Sequence, residues 1–409
     1  MEGTSRSHRF FLNLDSVNPP PIDRVLFHWN DLANEKLTAS QWADILAAFP
    51  ILRESQNSQE QVEFGKAVLK SPAYLLALKT LPEAQDSEDI ITSLSFYAHY
   101  KNKKFPNPQE ELYKNLYETL HLRLQFKNLS TAQLASFIKS LDDVGYLPAK
   151  SVWNNFQKAW LSKAHQATSR ESEIFYASSA RLALPMKPEI IEEFKNHFTS
   201  TIPNSRLFWA AAIIDRLHKN SDLKQMVTSA YAKHGIFDII IRNAVCAWFD
   251  IPAKEKKIKI ANPKSGSESR MRNFFSIPGV RTLSEKQRRL PMLASPVDNR
   301  IVYEGKDIII EMNGPYHSNH DFNGRPHDDG STLLLSALKV KMSGAIVLHV
   351  NYQSHSELFN AIAPETHKDL AKIALDRIVS LEKGDYGLHF EAPNRIVIKQ
   401  IENNSLIPS

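Results

Sequence analysis

Ser295–His320 reads SPVDNRIVYEGKDIIIEMNGPYHSNH. Two β-branched runs, Ile301–Tyr303 and Asp307–Met312, flank Glu304-Gly305-Lys306, and Gly314-Pro315 ends the second run. Such runs joined by a short Gly-containing gap and closed by Gly and Pro predict a β-hairpin. Side chains alternate along a strand, so Glu311 and Asn313 share one face while Ile308 and Ile310 share the other. A turn of two or four residues sets Asp298 across from Glu311 or Asn313, and a three-residue turn flips it away. One register therefore gathers Asp298, Glu311 and Asn313 at one place on an otherwise apolar sheet. Polar groups so placed need partners, because burying them unpaired is costly.

The chain around this hairpin has 409 residues, enough for two or three cores. Its net charge is +5, but thirteen Lys/Arg stand against five Asp/Glu between Ala253 and Lys306. Basic residues concentrated in one segment suit an anionic partner. Arg270, Arg272, Arg281, Lys286, Arg288 and Arg289 lie just before the hairpin, with Phe274 and Phe275 among them. These residues are candidates for holding nucleic-acid phosphates, and Arg can also stack on bases. The single cysteine, Cys246, excludes an internal disulfide and a Cys-built zinc site. Its apolar neighbours suggest a buried thiol in a reducing compartment. No apolar run is long enough for a membrane span. The N-terminal Arg6, His8 and Arg9 before Phe10-Phe11-Leu12 do not make a secretory signal.

Residues 1–30, with Pro19-Pro20-Pro21, are expected to be a loop or linker. Residues 31–250 read as α-helical. Ser130–Gln133 and Thr168–Glu171 fit capping boxes. Apolar residues recur in register: Leu112, Leu116 and Leu120 after Pro108; Val152, Phe156 and Trp160 after Pro148; Ile190, Phe194 and Phe198 after Pro188. The spacing predicts helical hairpins of about 38–40 residues stacked as an array. The array's aromatics are read as core. Residues 251–409 read as an α/β domain, with the boundary near 250. Phe237–Ile241 and Ile258–Ile260 are short and β-branched. Helices are expected at Glu268–Phe275, Ser331–Met342, Ser356–Ile362 and Glu365–Glu382, and a strand at Ala345–Val350.

IIIEMNGPYH followed by LLLSALKVKMSGAIVLHVNY resembles the RAP domain, found in organellar and bacterial RNA-processing proteins. Glu311, Gly314, Pro315, His317, Lys339, Lys341 and Gly344 match its pattern, and Asn313 stands where the family usually has Asp. The match spans Leu293–Phe359, and helical, octotricopeptide-like repeats precede RAP domains in several such proteins. The RAP domain is in turn similar to the PD-(D/E)xK restriction-endonuclease-like fold of very-short-patch repair endonucleases. That resemblance implies catalytic roles for Asp298, Glu311, Asn313, His317 and Glu268. Asp298 and Glu311 would hold Mg²⁺ or Mn²⁺, and His317 or His320 would move protons. A neutral amide at 313 cannot replace the usual lysine; Lys339 or Lys341 from the following helix is the alternative source of charge. The His/Asp-rich loop His317–Asp329 is expected to be a solvated loop beside the active strand. The leading expectation is an RNA-binding protein acting in RNA processing or stability, in the cytoplasm of a bacterium, a host cell or an organelle. A metal-dependent endonuclease acting on RNA or DNA is the first alternative. A helical scaffold for protein partners, including a bacterial protein delivered into a host, is the second.

Overall fold

The computed structural model describes residues 6–14, 20–49, 58–100, 119–252, 266–290, 293, 297–313, 318–320, 326–351, 364–390 and 396–401. They form two compact units, Met1–Phe175 and Tyr176–Ser409. This division falls well before the boundary expected near 250, and it groups the helices after Tyr176 with the sheet.

The first unit holds α1 (Arg6–Leu12), α2 (Ile22–Asp31), α3 (Ala39–Ala47), α4 (Ser58–Lys70), α5 (Pro72–Thr80), α6 (Ser87–Tyr100), α7 (Thr131–Val144) and α8 (Lys150–Lys163), and α9 (Ser169–Arg181) crosses the division. Among the described residues of the first thirty, Arg6–Leu12 and those from Ile22 onward are helical, not the loop expected. Val25 and Trp29 are one helical turn apart on α2 and fully buried, and Phe11 on α1 packs edge-on to Trp29. Packing supplies what local propensity does not. Both capping boxes form: the Ser130 side chain accepts from Gln133 N, and the Thr168 hydroxyl accepts from Glu171 N at 3.3 Å. Trp153, Phe156 and Trp160 are core residues, and Trp160 stacks on Phe175 at 4.0 Å.

The second unit begins with helices: α10 (Pro188–Ser200), α11 (Ser205–His218), α12 (Asp222–His234) and α13 (Ile239–Phe249). The β-branched run at 237–241 enters a helix. Asp238 caps α13 by accepting from Ile240 N and Ile241 N, and Ala244, Val245, Cys246 and Phe249 bury one face. Cap and burial outweigh the β-propensity of three isoleucines. The β-branched run at 258–260 and the expected helix at 356–362 lie outside the described residues.

Then follow α14 (Gly266–Phe274), β1 (Arg281–Thr282), α15 (Glu285–Arg288), β2 (Asn299–Tyr303), β3 (Lys306–Asn313), β4 (Ser318–His320), β5 (Pro326–Asp328), α16 (Gly330–Ser343), β6 (Ile346–Asn351), α17 (Pro364–Ile378), β7 (Gly384–Phe390) and β8 (Ile396–Gln400). Six strands make a mixed sheet in the order β1-β2-β3-β6-β7-β8, with β3, β6 and β7 parallel. The α + α/β class expected from sequence holds at this level. One face packs Ile301, Ile308, Ile310, Leu348 and Leu388 against Met271, Phe274 and Phe275 and against Leu370–Ile378. The other places Ile309 and Val347 under Leu290, Val297 and Val340. Phe274 and Phe275 are therefore core. On its outer side α16 packs against α11: a Cβ on Gly330 would collide with Ala180 O and lie 2.8 Å from Ile213 Cγ2, so only glycine fits.

Candidate phosphodiester site on the sheet

The hairpin turn has two residues. Tyr303 pairs with Lys306, and Glu304 and Gly305 both have positive φ, 47° and 76°, as a type I′ turn requires. The register then runs to Asn299 opposite Ile310, which sets Asp298 level with Glu311 one step beyond. At that point the ladder ends, and the Asp298 carboxylate takes the place of the next rung: Oδ2 accepts from Met312 N at 2.9 Å. Its main-chain carbonyl accepts from two guanidinium groups, Arg272 (Nη2 3.2 Å) and Arg288 (Nη1 2.7 Å).

Glu311 sits on the α16 face of the sheet. Lys339 reaches it from α16, Nζ to Oε2 3.0 Å, with both side chains about one-seventh exposed (14% and 13%). The other oxygen, Oε1, is buried with no hydrogen-bond partner among the described residues. An orphaned carboxylate oxygen in such a place calls for a cation or a water. The choice between the two lysines follows from helical phase. Lys339 is three residues from Ser336, on the side facing the sheet. Lys341 points away and donates to Ala247 O and Trp248 O, with Asp250 Oδ1 at 2.7 Å. Lys341, the other candidate source of charge, instead caps the C-terminus of α13.

Beside Glu311 in the register stands His349 on β6, a residue the sequence reading passed over. It is buried, with Nε2 2.9 Å from Asp385 Oδ1 on β7 and 2.5 Å from Ser336 Oγ on α16. Both partners address the same nitrogen, so these residues do not form a nucleophilic triad, which needs one partner on each ring nitrogen. Burial opposes charge on both groups. The fields of Asp385 and Asp328 and the hydrogen bond to Asp385 nevertheless raise the His349 pKa above its ordinary value. Asp385 is likewise pushed up by burial, but His349, Ser336 and the field of Arg216 on α11 bring it below the carboxylate norm. The pair is ionic. Lys339, Glu311, His349, Asp385 and Arg216 thus form a charged row across an apolar face.

The remaining candidates fall into three groups. Arg270, Arg281 and Arg289 are exposed. Arg288 is 7% exposed and donates to Val297 O, so it is not the solvent-facing arginine expected. His317 lies outside the described residues, and for Glu268, Lys286, Asn313 and His320 the backbone alone is described, in α14, α15, β3 and β4. Part of the His/Asp-rich loop is ordered differently from expectation: β4 and β5 pair as a small hairpin, and Asp329 caps α16 by accepting from Thr332 N at 2.7 Å. Among the described residues, no group of three or more His, Cys, Asp or Glu is placed to hold a metal ion, and no helix is long and apolar enough to cross a membrane.

Neither a scan of protein-family models nor a search of curated proteins finds a match to this chain.

Proposed function

We propose that this chain is a nucleic-acid-binding protein, with RNA its expected ligand, whose α/β unit carries a metal-dependent phosphodiester-cleaving site. The observation that carries the reading is Lys339 beside Glu311, level with Asp298: two carboxylates and one cation on a strand-end platform. The donor set suits Mg²⁺ or Mn²⁺, hard cations that take carboxylate oxygens and keep several waters, and the unpartnered Glu311 Oε1 is a ready ligand. Asp298 and Glu311 would hold the ion, which when bound would polarise the phosphate and acidify an attacking water. Lys339 supplies the charge that Asn313 lacks. It orients Glu311 before substrate arrives and offsets negative charge gathering on the phosphate oxygens. Exposed Arg270, Arg281 and Arg289 hold the flanking backbone without reading its sequence. We read the helices before the sheet as the repeat array that selects a single-stranded segment. A cavity of about 470 Å³ in the first unit, walled mainly by apolar residues such as Phe49, Ile91 and Phe96 with Gln133 and Ser136 at its edge, is a candidate seat for such a segment. The endonuclease-like identity of the sheet and the RAP kinship belong to the same proposal.

Binding without cleavage is the second reading. It is favoured by the Asp298 carboxylate already accepting from Met312 N and by the neutral amide at 313. Filter binding to single-stranded RNA across a salt series, run beside a Mg²⁺-dependent cleavage assay, separates the readings. Affinity should fall with log salt at about 0.7 per phosphate neutralised. Asp298→Ala should abolish cleavage and keep affinity within a few-fold. Affinity with no cleavage selects the second reading, and absence of affinity at low salt removes both.

A further inference from the structure

The segment before β2 is tied down more heavily than a surface loop needs. Arg288 donates from Nη1 to Val297 O at 2.9 Å and to Asp298 O at 2.7 Å, and its own carbonyl accepts from Val297 N at 3.1 Å. Arg272, coming from α14, adds Nε at 3.3 Å and Nη2 at 3.2 Å to the same Asp298 oxygen. Three N–H groups from two cations therefore converge on one carbonyl, which has two lone pairs. The peptide they fix belongs to the residue whose carboxylate closes the β2–β3 ladder at Met312 N.

We infer that Arg272 and Arg288 are positioning residues for Asp298, holding its carboxylate level with Glu311, and not members of the phosphate-contacting surface. The inference rests on the reading of Asp298 as a site carboxylate. The physical need is plain. The Asp298 carboxylate can meet Met312 N only if its main chain holds still, and a second carboxylate next to it repels it. Two guanidinium groups locked to its main chain hold it still and offset the repulsion. Charge-assisted bonds to a carbonyl are stronger than neutral ones, and Arg288 is buried, so its bonds are weakly screened. The same burial denies it to a phosphate.

The test follows hydrogen exchange at the Met312 amide in the full chain, together with the salt slope of RNA binding, for Arg288→Met, Arg288→Lys and Arg272→Met. Loosening Asp298 should raise Met312 exchange at least tenfold in Arg288→Met and less in Arg272→Met, with Arg288→Lys partly restoring protection. The β6 amides should be unchanged, which shows that the sheet remains folded. The salt slope should stay at the wild-type value, whereas Arg289→Met should lower it. Unchanged Met312 exchange in both methionine variants, or a salt slope reduced by one phosphate in Arg288→Met, overturns the inference. Should the wild type neither bind nor cut RNA, the functional reading fails by itself, and Met312 exchange still decides the role of the two arginines. Arg272 is only half-buried, so its variant keeps the test valid if loss of Arg288 unfolds the unit.

Discussion

If the sheet carries the proposed cleaving site, Lys339→Met should lower Mg²⁺-dependent RNA cleavage about 10²–10³-fold, the usual effect of deleting one preorganised charge-stabilising donor. On the same reading, affinity for RNA should change little, because the ammonium is engaged with Glu311. A structural cost accompanies the loss. The Glu311 carboxylate, about one-seventh exposed, is left with neither oxygen paired among the described residues. Deleting one partner of a buried pair costs about 3–5 kcal/mol, and partial exposure places this pair at or below the low end. Lys339→Met/Glu311→Gln should regain stability relative to Lys339→Met alone and remain inactive. That double-mutant cycle, read by denaturant unfolding and single-turnover kinetics, separates the structural from the catalytic share. Full activity in Lys339→Met would remove the lysine from the chemistry.

Asp385→Asn destabilises the second unit by about 3 kcal/mol, with the penalty limited because the imidazole of His349 can shed its proton. For a unit of this size the shift in Tm is on the order of 6–12 °C. The pH dependence has a definite sign. The folded pKa of His349 lies above its ordinary 6.5, so its share of the stability is fully present below 6.5 and is lost as pH rises through the folded value. The folded pKa of Asp385 lies below 3.8, so its share is present above 3.8 and is lost as pH falls through the folded value. The stability difference between wild type and Asp385→Asn is therefore largest between those two ordinary values and shrinks toward alkaline pH. Urea unfolding at a series of pH values measures it. A difference that does not shrink above pH 6.5 would mean that His349 carries no added proton in the fold.

The hairpin was legible because it is local. Its register was not: Glu304-Gly305-Lys306 left the turn length open, and only the pairing of Tyr303 with Lys306 sets Asp298 level with Glu311. The C-terminal end of α16 and its following strand were legible because they too are local, from Gly344 and the apolar run after it; the cap that Asp329 supplies was not. His349 and Asp385 were not. They come together only when β3, β6 and β7 pair in parallel across intervening helices, and no local pattern sets that register. A histidine within AIVLHV is a weak signal, though a polar residue in a strand buried on both faces invites the question of what satisfies it. Lys339 and Lys341 were both candidates until the phase of α16 separated them. The basic segment misled in part: charge counting cannot distinguish an arginine that faces solvent from Arg288, which holds a loop. The N-terminal helices were missed because the proline run hid short segments whose helicity depends on burying Phe11, Val25 and Trp29.

Direct titration of the full chain with Mn²⁺, followed by the electron paramagnetic resonance signal of the free ion, bears most closely on the central claim. Wild type should take up one ion at a site that Mg²⁺ competes for, and Glu311→Ala should take up none while remaining folded. Equal uptake by both proteins, or no uptake by the wild type with RNA present, contradicts the account.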